Sequence, residues 1–160
     1  MEAWHDLFIA SAGAAAALMG LLFVGLSINL SKILALPVLA DRALIASMLL
    51  FAILMQTLLL LIPHETTHAE GLCILIVFVL IWPYLSYLDL SIFKNLDIRY
   101  RNLHIWKMLF DQVALMPYLI SGILMLNGSM SGYYWLVGSI TISFLKASLD
   151  AWVLLVEINR

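Results

Sequence analysis

The 160-residue sequence predicts an all-α membrane protein: a bundle of five transmembrane helices, N-terminus outside and C-terminus inside. Three observations carry this. Apolar residues make up 64% of the chain and charged residues 11%, against roughly 45–50% and about 25% in soluble domains. Five segments are each long and apolar enough to cross a hydrocarbon core of about 30 Å, which takes about 20 residues. The Lys and Arg residues fall in alternate connections, the asymmetry that orients a polytopic chain. A mean hydropathy of +1.06 excludes water-soluble globular, disordered, collagenous and nucleic-acid-binding proteins. The lipid bilayer is therefore the first partner. Continuous apolar runs also exclude a barrel, whose strands alternate. Backbone groups in lipid must then be paired within helices.

Span one covers residues 7–30. The residues before it carry Glu2 and Asp6 and no basic residue, unlike the positive start of a signal peptide. It is therefore expected to be retained. Span two covers residues 43–62, with Asp41 as candidate N-cap and Pro63 closing it. Span three covers residues 72–93 and contains Pro83; span four covers 108–126 and contains Pro117. Each proline frees a carbonyl and favours a kink, and facing kinks can open a polar cavity. Asn127-Gly128-Ser129 is a turn, and span five covers residues 133–156. Residues 31–41 and 94–107 read as loops. The whole chain, 1–160, reads as one transmembrane domain.

With the N-terminus outside, Lys32, Arg42, Lys94, Arg99, Arg101, Lys107 and Arg160 all lie inside. The outer segments carry no Lys or Arg. Trp4 and Tyr133-Tyr134-Trp135 fit an outer aromatic belt, and Trp106 and Trp152 an inner one. The single cysteine, Cys73, cannot close an intrachain disulfide.

Span five carries the strongest polar pattern. Ser139, Ser143, Lys146, Asp150 and Glu157 fall on one helical face. Lys146 lies near the membrane midplane, where an unpaired ammonium costs at least about 2.5 kcal/mol. Asp150, one turn on, is its first candidate partner. Asp89 in span three and Asp111 in span four are others. An intramembrane ion pair is a functional hypothesis, an ion path or gate. It also reads as a staple of helix register or a lysine that snorkels to the inner interface.

In span one, Gly13, Gly20 and Ser27 recur seven apart, and Ala12, Ala16 and Gly20 form a small-xxx-small ladder. Such faces allow close helix approach in lipid. The partner is either another span of the same chain or a second copy.

His64-Glu65-Thr66-Thr67-His68 matches the zinc-protease HExxH pattern. The match reads as coincidental. Position 74, where the longer motif has a third histidine, is Ile74. The pattern also follows Pro63 with little room for a helix, and Thr67-x-x-Glu70 reads as a capping box for span three. The expectation is no enzyme and no bound cofactor. A softer version survives: Glu2, His5, Asp6, His64, Glu65, His68 and Glu70 form an outer rim without basic residues. Such a rim would suit a divalent metal or sense pH, or simply be what remains when basic residues are kept inside.

Trp4-His5-Asp6, the small-residue run and Ser27-Ile28-Asn29-Leu30 resemble an uncharacterised group of small bacterial integral membrane proteins. Some of these carry the label "modulator of FtsH protease". The likeness covers span one. It implies a multi-pass protein of the bacterial inner membrane and brings no catalytic residue.

The leading expectation is a homo-oligomer that forms or gates an ion-conducting path. The alternative is a non-enzymatic accessory subunit of a larger membrane complex. The third is an outer-face metal-binding protein through His64 and His68.

Overall fold

The computed structural model describes residues 2–35, 37–63, 66–96 and 98–158, without the side chains of Glu2, Ala3, Pro37, Ile98, Arg99, Tyr100, Leu103, Glu157 and Ile158. Six helices follow in order: α1 Glu2–Ile28, α2 Leu30–Leu34, α3 Pro37–Leu61, α4 Thr67–Asn95, α5 Ile98–Leu126 and α6 Gly132–Ile158. No strand occurs among the described residues. All but α2 are long and apolar enough to cross a membrane. The chain is a multi-pass membrane protein with the five predicted spans.

Short connections make successive long helices antiparallel. One end, the head, gathers the starts of α1, α4 and α6 and the ends of α3 and α5. The other, the tail, gathers the remaining termini and α2. Helix α3 packs on α4, α4 on α5, α5 on α6 and α6 back on α3, closing a four-helix ring. Helix α1 lies outside this ring, mainly against α3. The core follows that arrangement. Leu49, Ile53, Ile74, Leu85, Leu115 and Leu136 are fully buried inside the ring, and α1 contributes Phe8, Ala15 and Leu22.

Several connections differ from the sequence expectation. Residues 94–107 are not a loop: α4 runs to Asn95 and α5 begins at Ile98. Their basic residues are good helix formers, so both helices continue past the apolar stretch. Residues 31–41 are not one loop either. They hold α2 and the first turn of α3. Asp41 therefore sits inside α3 instead of capping it, and its carboxylate accepts from the Ser91 hydroxyl at 3.4 Å. Helix α4 is capped by Thr66, whose hydroxyl accepts from the Ala69 amide at 3.4 Å, one residue before the predicted Thr67. The turn after α5 forms as expected, with Gly128 at φ 75, a conformation that favours glycine.

At the head end α4 and α5 cross closely at Gly71. A Cβ there would lie 2.8 Å from the Leu126 amide nitrogen and 2.9 Å from the Gly122 carbonyl oxygen. The α1 glycines behave oppositely. Gly13 and Gly20 have nothing within 4 Å of a built Cβ. Gly13, Ala16, Gly20 and Ser27 are all exposed, so among the described residues this face meets no other span. Ala12, on the neighbouring face, is buried.

Candidate functional site

The interior of the four-helix ring is polar at the tail half. Lys146, on α6, is 5% exposed and Asp111, on α5, is 2% exposed. The ammonium lies 2.8 Å from Asp111 Oδ1 and also bonds Asp150 Oδ2 one turn along α6. Two carboxylates share one buried cation, which offsets the cost of removing all three from water. Lys146 is thus held inside protein and does not snorkel to the interface. Ser139 and Ser143, on the same face, are both fully buried, and both hydroxyls donate to the Ala114 carbonyl. The predicted polar face of span five points into the bundle.

Asp89, near the tail end of α4, is 1% exposed. It makes no ion pair with Lys146 within 4 Å among the described residues. Its backbone carbonyl accepts a hydrogen bond from His104 Nε2 at 3.0 Å. A carbonyl can only accept, so that nitrogen carries the hydrogen. Both carboxylate oxygens of Asp89, and Nδ1 of His104, are buried without a hydrogen-bond partner. These groups line one small cavity of about 20 Å³ together with Arg42, Lys107, Asp111, Lys146 and Asp150. It holds space for about one water-sized occupant. Neither Pro83 nor Pro117 lines it, so the cavity does not arise at the predicted kinks.

The head half carries a second buried acid. Glu70 was expected at the outer surface and in a capping box. Instead it is 1% exposed, and its carboxylate accepts from the Tyr133 hydroxyl. Thr66 takes the cap, so the first turn of α4 is rotated to bring Glu70 inward. Tyr133 is itself buried and is not part of a surface aromatic belt. Trp4 stacks on it with ring centroids 5.9 Å apart and also meets Tyr134 edge-on at 5.3 Å. Tyr134 and Trp135 at the head, and Trp106 and Trp152 at the tail, are exposed as a belt requires.

The predicted outer metal group is only partly described. His64 and Glu65 lie outside the described residues, as do the side chains of Glu2 and Glu157. His68 places Nδ1 2.5 Å from the Leu126 carbonyl oxygen. His5 and Asp6 are exposed on the first turns of α1 beside the end of α3. Among the described residues no cluster of three or more His, Cys, Asp or Glu would hold a metal ion.

Sequence reasoning missed His104, read as a loop residue, and Glu70, read as a cap. It also missed Tyr118 and Gln56, each 1% exposed. Gln56 and Thr57 are the only adjacent amide and hydroxyl in an otherwise apolar half of span two, a signal that could have marked them as inward-facing. No protein-family model, curated protein or solved structure matches this chain.

Proposed function

We propose that the chain carries a small cation through the interior of its own four-helix ring, loading it at Asp89 from the tail end. The observation that supports this is the state of Asp89: a buried carboxylate with no hydrogen-bond partner, facing a cavity it shares with the Lys146–Asp111–Asp150 triad. A buried carboxylate without a protein donor is stabilised by a proton, a bound cation or a water in that cavity. Lys146 supplies a fixed positive charge beside it, which sets how strongly that cargo is held. On this reading the ion path runs within each protomer.

Among the described residues every Lys and Arg other than Lys146 lies toward the tail end. This supports a cytoplasmic tail and an external head, and with the likeness of span one, a bacterial inner membrane. Protein reconstituted in phospholipid vesicles, with a potential imposed by potassium and valinomycin, tests the reading. Wild-type protein should pass protons, sodium or rubidium above protein-free vesicles. Asp89→Asn should lower that flux by about tenfold or more with unchanged elution and melting. No flux of any of the three, or full flux in Asp89→Asn, would overturn it.

A second reading rests on the other conspicuous surface. Gly13, Ala16, Gly20 and Ser27 are exposed on α1 with open space above both glycines, which suits close contact with another helix in lipid. That helix belongs either to a second copy, making a homo-oligomer, or to a larger membrane complex such as a protease, making this chain its accessory subunit. Purification in mild detergent separates the two. A closed assembly of this chain alone supports the first, and stoichiometric recovery with a larger enzyme the second.

A further inference from the structure

We infer that the ion loaded at Asp89 is ammonium, held between the Asp89 carboxylate and Nδ1 of His104. The inference rests on the ion-path reading above and adds the identity of the ion and its second ligand.

Two helices supply the site, Asp89 from near the end of α4 and His104 from early in α5. Asp89 is 1% exposed and His104 3%. The imidazole is fixed from two sides. Phe93 stacks on it with ring centroids 6.4 Å apart, and Nε2 donates to the Asp89 backbone carbonyl at 3.0 Å. A neutral imidazole has one N–H. With that hydrogen committed to the carbonyl, Nδ1 presents a lone pair. Both oxygens of an ionised Asp89 also accept only. Three buried acceptors, none with a hydrogen-bond partner, thus belong to two side chains that line one cavity of about 20 Å³.

An occupant has to match that set. It can be no larger than about one water, and it has to bring hydrogens. A water brings two hydrogens and no charge. A proton on Asp89 cancels the charge but brings no donor to His104. Sodium and rubidium bring charge without hydrogens, and they need several oxygens in place of their hydration shell. An imidazole nitrogen suits zinc, copper, iron or nickel instead. Among the described residues, however, no group of three or more His, Cys, Asp or Glu would hold such a metal. Ammonium is the size of water, carries one positive charge and directs four hydrogens tetrahedrally. It can donate to the carboxylate and to Nδ1 together.

The enclosed charges favour the same occupant. Lys146 is already shared by Asp111 and Asp150. Among the fully buried groups Asp89, Asp111 and Lys146, the acids exceed the base by one. Arg42 from α3 and Lys107 from α5 also line the cavity, but both are half-buried, where water weakens their repulsion. Their charge keeps the affinity low enough for the ion to leave again, as passage requires.

The test follows melting of the full chain in detergent as the chlorides of ammonium, rubidium, sodium and methylammonium replace choline chloride at constant ionic strength. Ammonium should give a saturating rise of about 2 °C or more. Rubidium, close to ammonium in size but without hydrogens, should need about tenfold more. Sodium and methylammonium should give no rise. Asp89→Asn should abolish the ammonium response. His104→Gln keeps an amide donor for the Asp89 carbonyl but removes Nδ1, and should weaken the response about tenfold. If Asp89→Asn fails to fold, equilibrium dialysis of wild-type protein with isotope-labelled ammonium decides the same point, with one ion bound per chain expected and none overturning the site. A response to sodium or rubidium equal to that of ammonium would overturn the identity while leaving loading at Asp89 standing. An equal response to methylammonium, or a full ammonium response in both variants, would overturn the site. No response to any of the four ions would overturn the inference altogether. Rubidium flux through wild-type vesicles then decides separately whether the ion path survives, since ammonia crosses bare lipid unaided and rubidium is its tracer there.

Discussion

The two buried acids of α4 sit in opposite surroundings. Glu70, at the head, has a dedicated donor in Tyr133, a ring stacked over that donor, and tight backbone packing one residue away at Gly71. Asp89, at the tail, has no side-chain partner, lines a cavity, and stands among charged groups from three other helices. The same residue class on one helix is closed off at one end and left under-satisfied at the other. The difference teaches that burial alone does not mark a reactive group. What marks it is burial without the hydrogen bonds that a purely structural acid would be given.

The comparison can be broken most sharply at Lys146. Lys146→Met strands Asp111 and Asp150 without their cation and should cost about 3–5 kcal/mol. That is read as a large drop in melting temperature in detergent. Adding Asp111→Leu should recover much of it, because the stranded charge is removed too. A loss below about 1 kcal/mol for the single change would mean that the ammonium is not enclosed by protein.

The head end is tested at its crossing. Gly71→Ala places a methyl against the backbone of α5 and should cost about 1–3 kcal/mol. Gly13→Ala, on the open face of α1, should stay within about 0.5 kcal/mol in the same melt. Equal effects at both positions would contradict the close α4–α5 approach.

The smallest pair of effects sharpens the contrast between the acids themselves. Tyr133→Phe removes the donor of a buried carboxylate and should destabilise by about 1–2 kcal/mol. Asp89→Asn loses no existing side-chain hydrogen bond and should change stability by less than about 1 kcal/mol, while lowering ion flux. A larger stability loss at Asp89 than at Tyr133 would reverse the assignment of the closed and the reactive end.

Much of the tail-end site was legible beforehand. The spacing of Ser139, Ser143, Lys146 and Asp150 put them on one face, and i,i+4 geometry paired the last two. Asp111 could be named only as one candidate among several, because periodicity reports a helix's own face and not which helix it meets. Asp89 looked like an equal candidate for Lys146, yet it lies in the shared cavity without bonding it. His104 was read as a loop residue because a polar extension of a helix beyond the lipid has the composition of a loop. Glu70 was read as a cap because Thr67-x-x-Glu70 satisfies the local pattern. A one-residue shift of the cap to Thr66 accompanies its turn toward Tyr133, a contact 63 residues away in sequence.

The order and number of the lipid-crossing helices, the charge asymmetry between the two ends and the inward face of α6 were determined by the sequence alone. Each follows from the cost of placing polar groups in hydrocarbon, and that cost is paid locally, residue by residue. The closure of α3 to α6 into a ring, the exclusion of α1 to its flank, and the choice of Asp111 over Asp89 as the neighbour of Lys146 were decided only by tertiary packing. These depend on which faces meet across distant parts of the chain, where shape and the pairing of buried polar groups act together and no local window holds both partners.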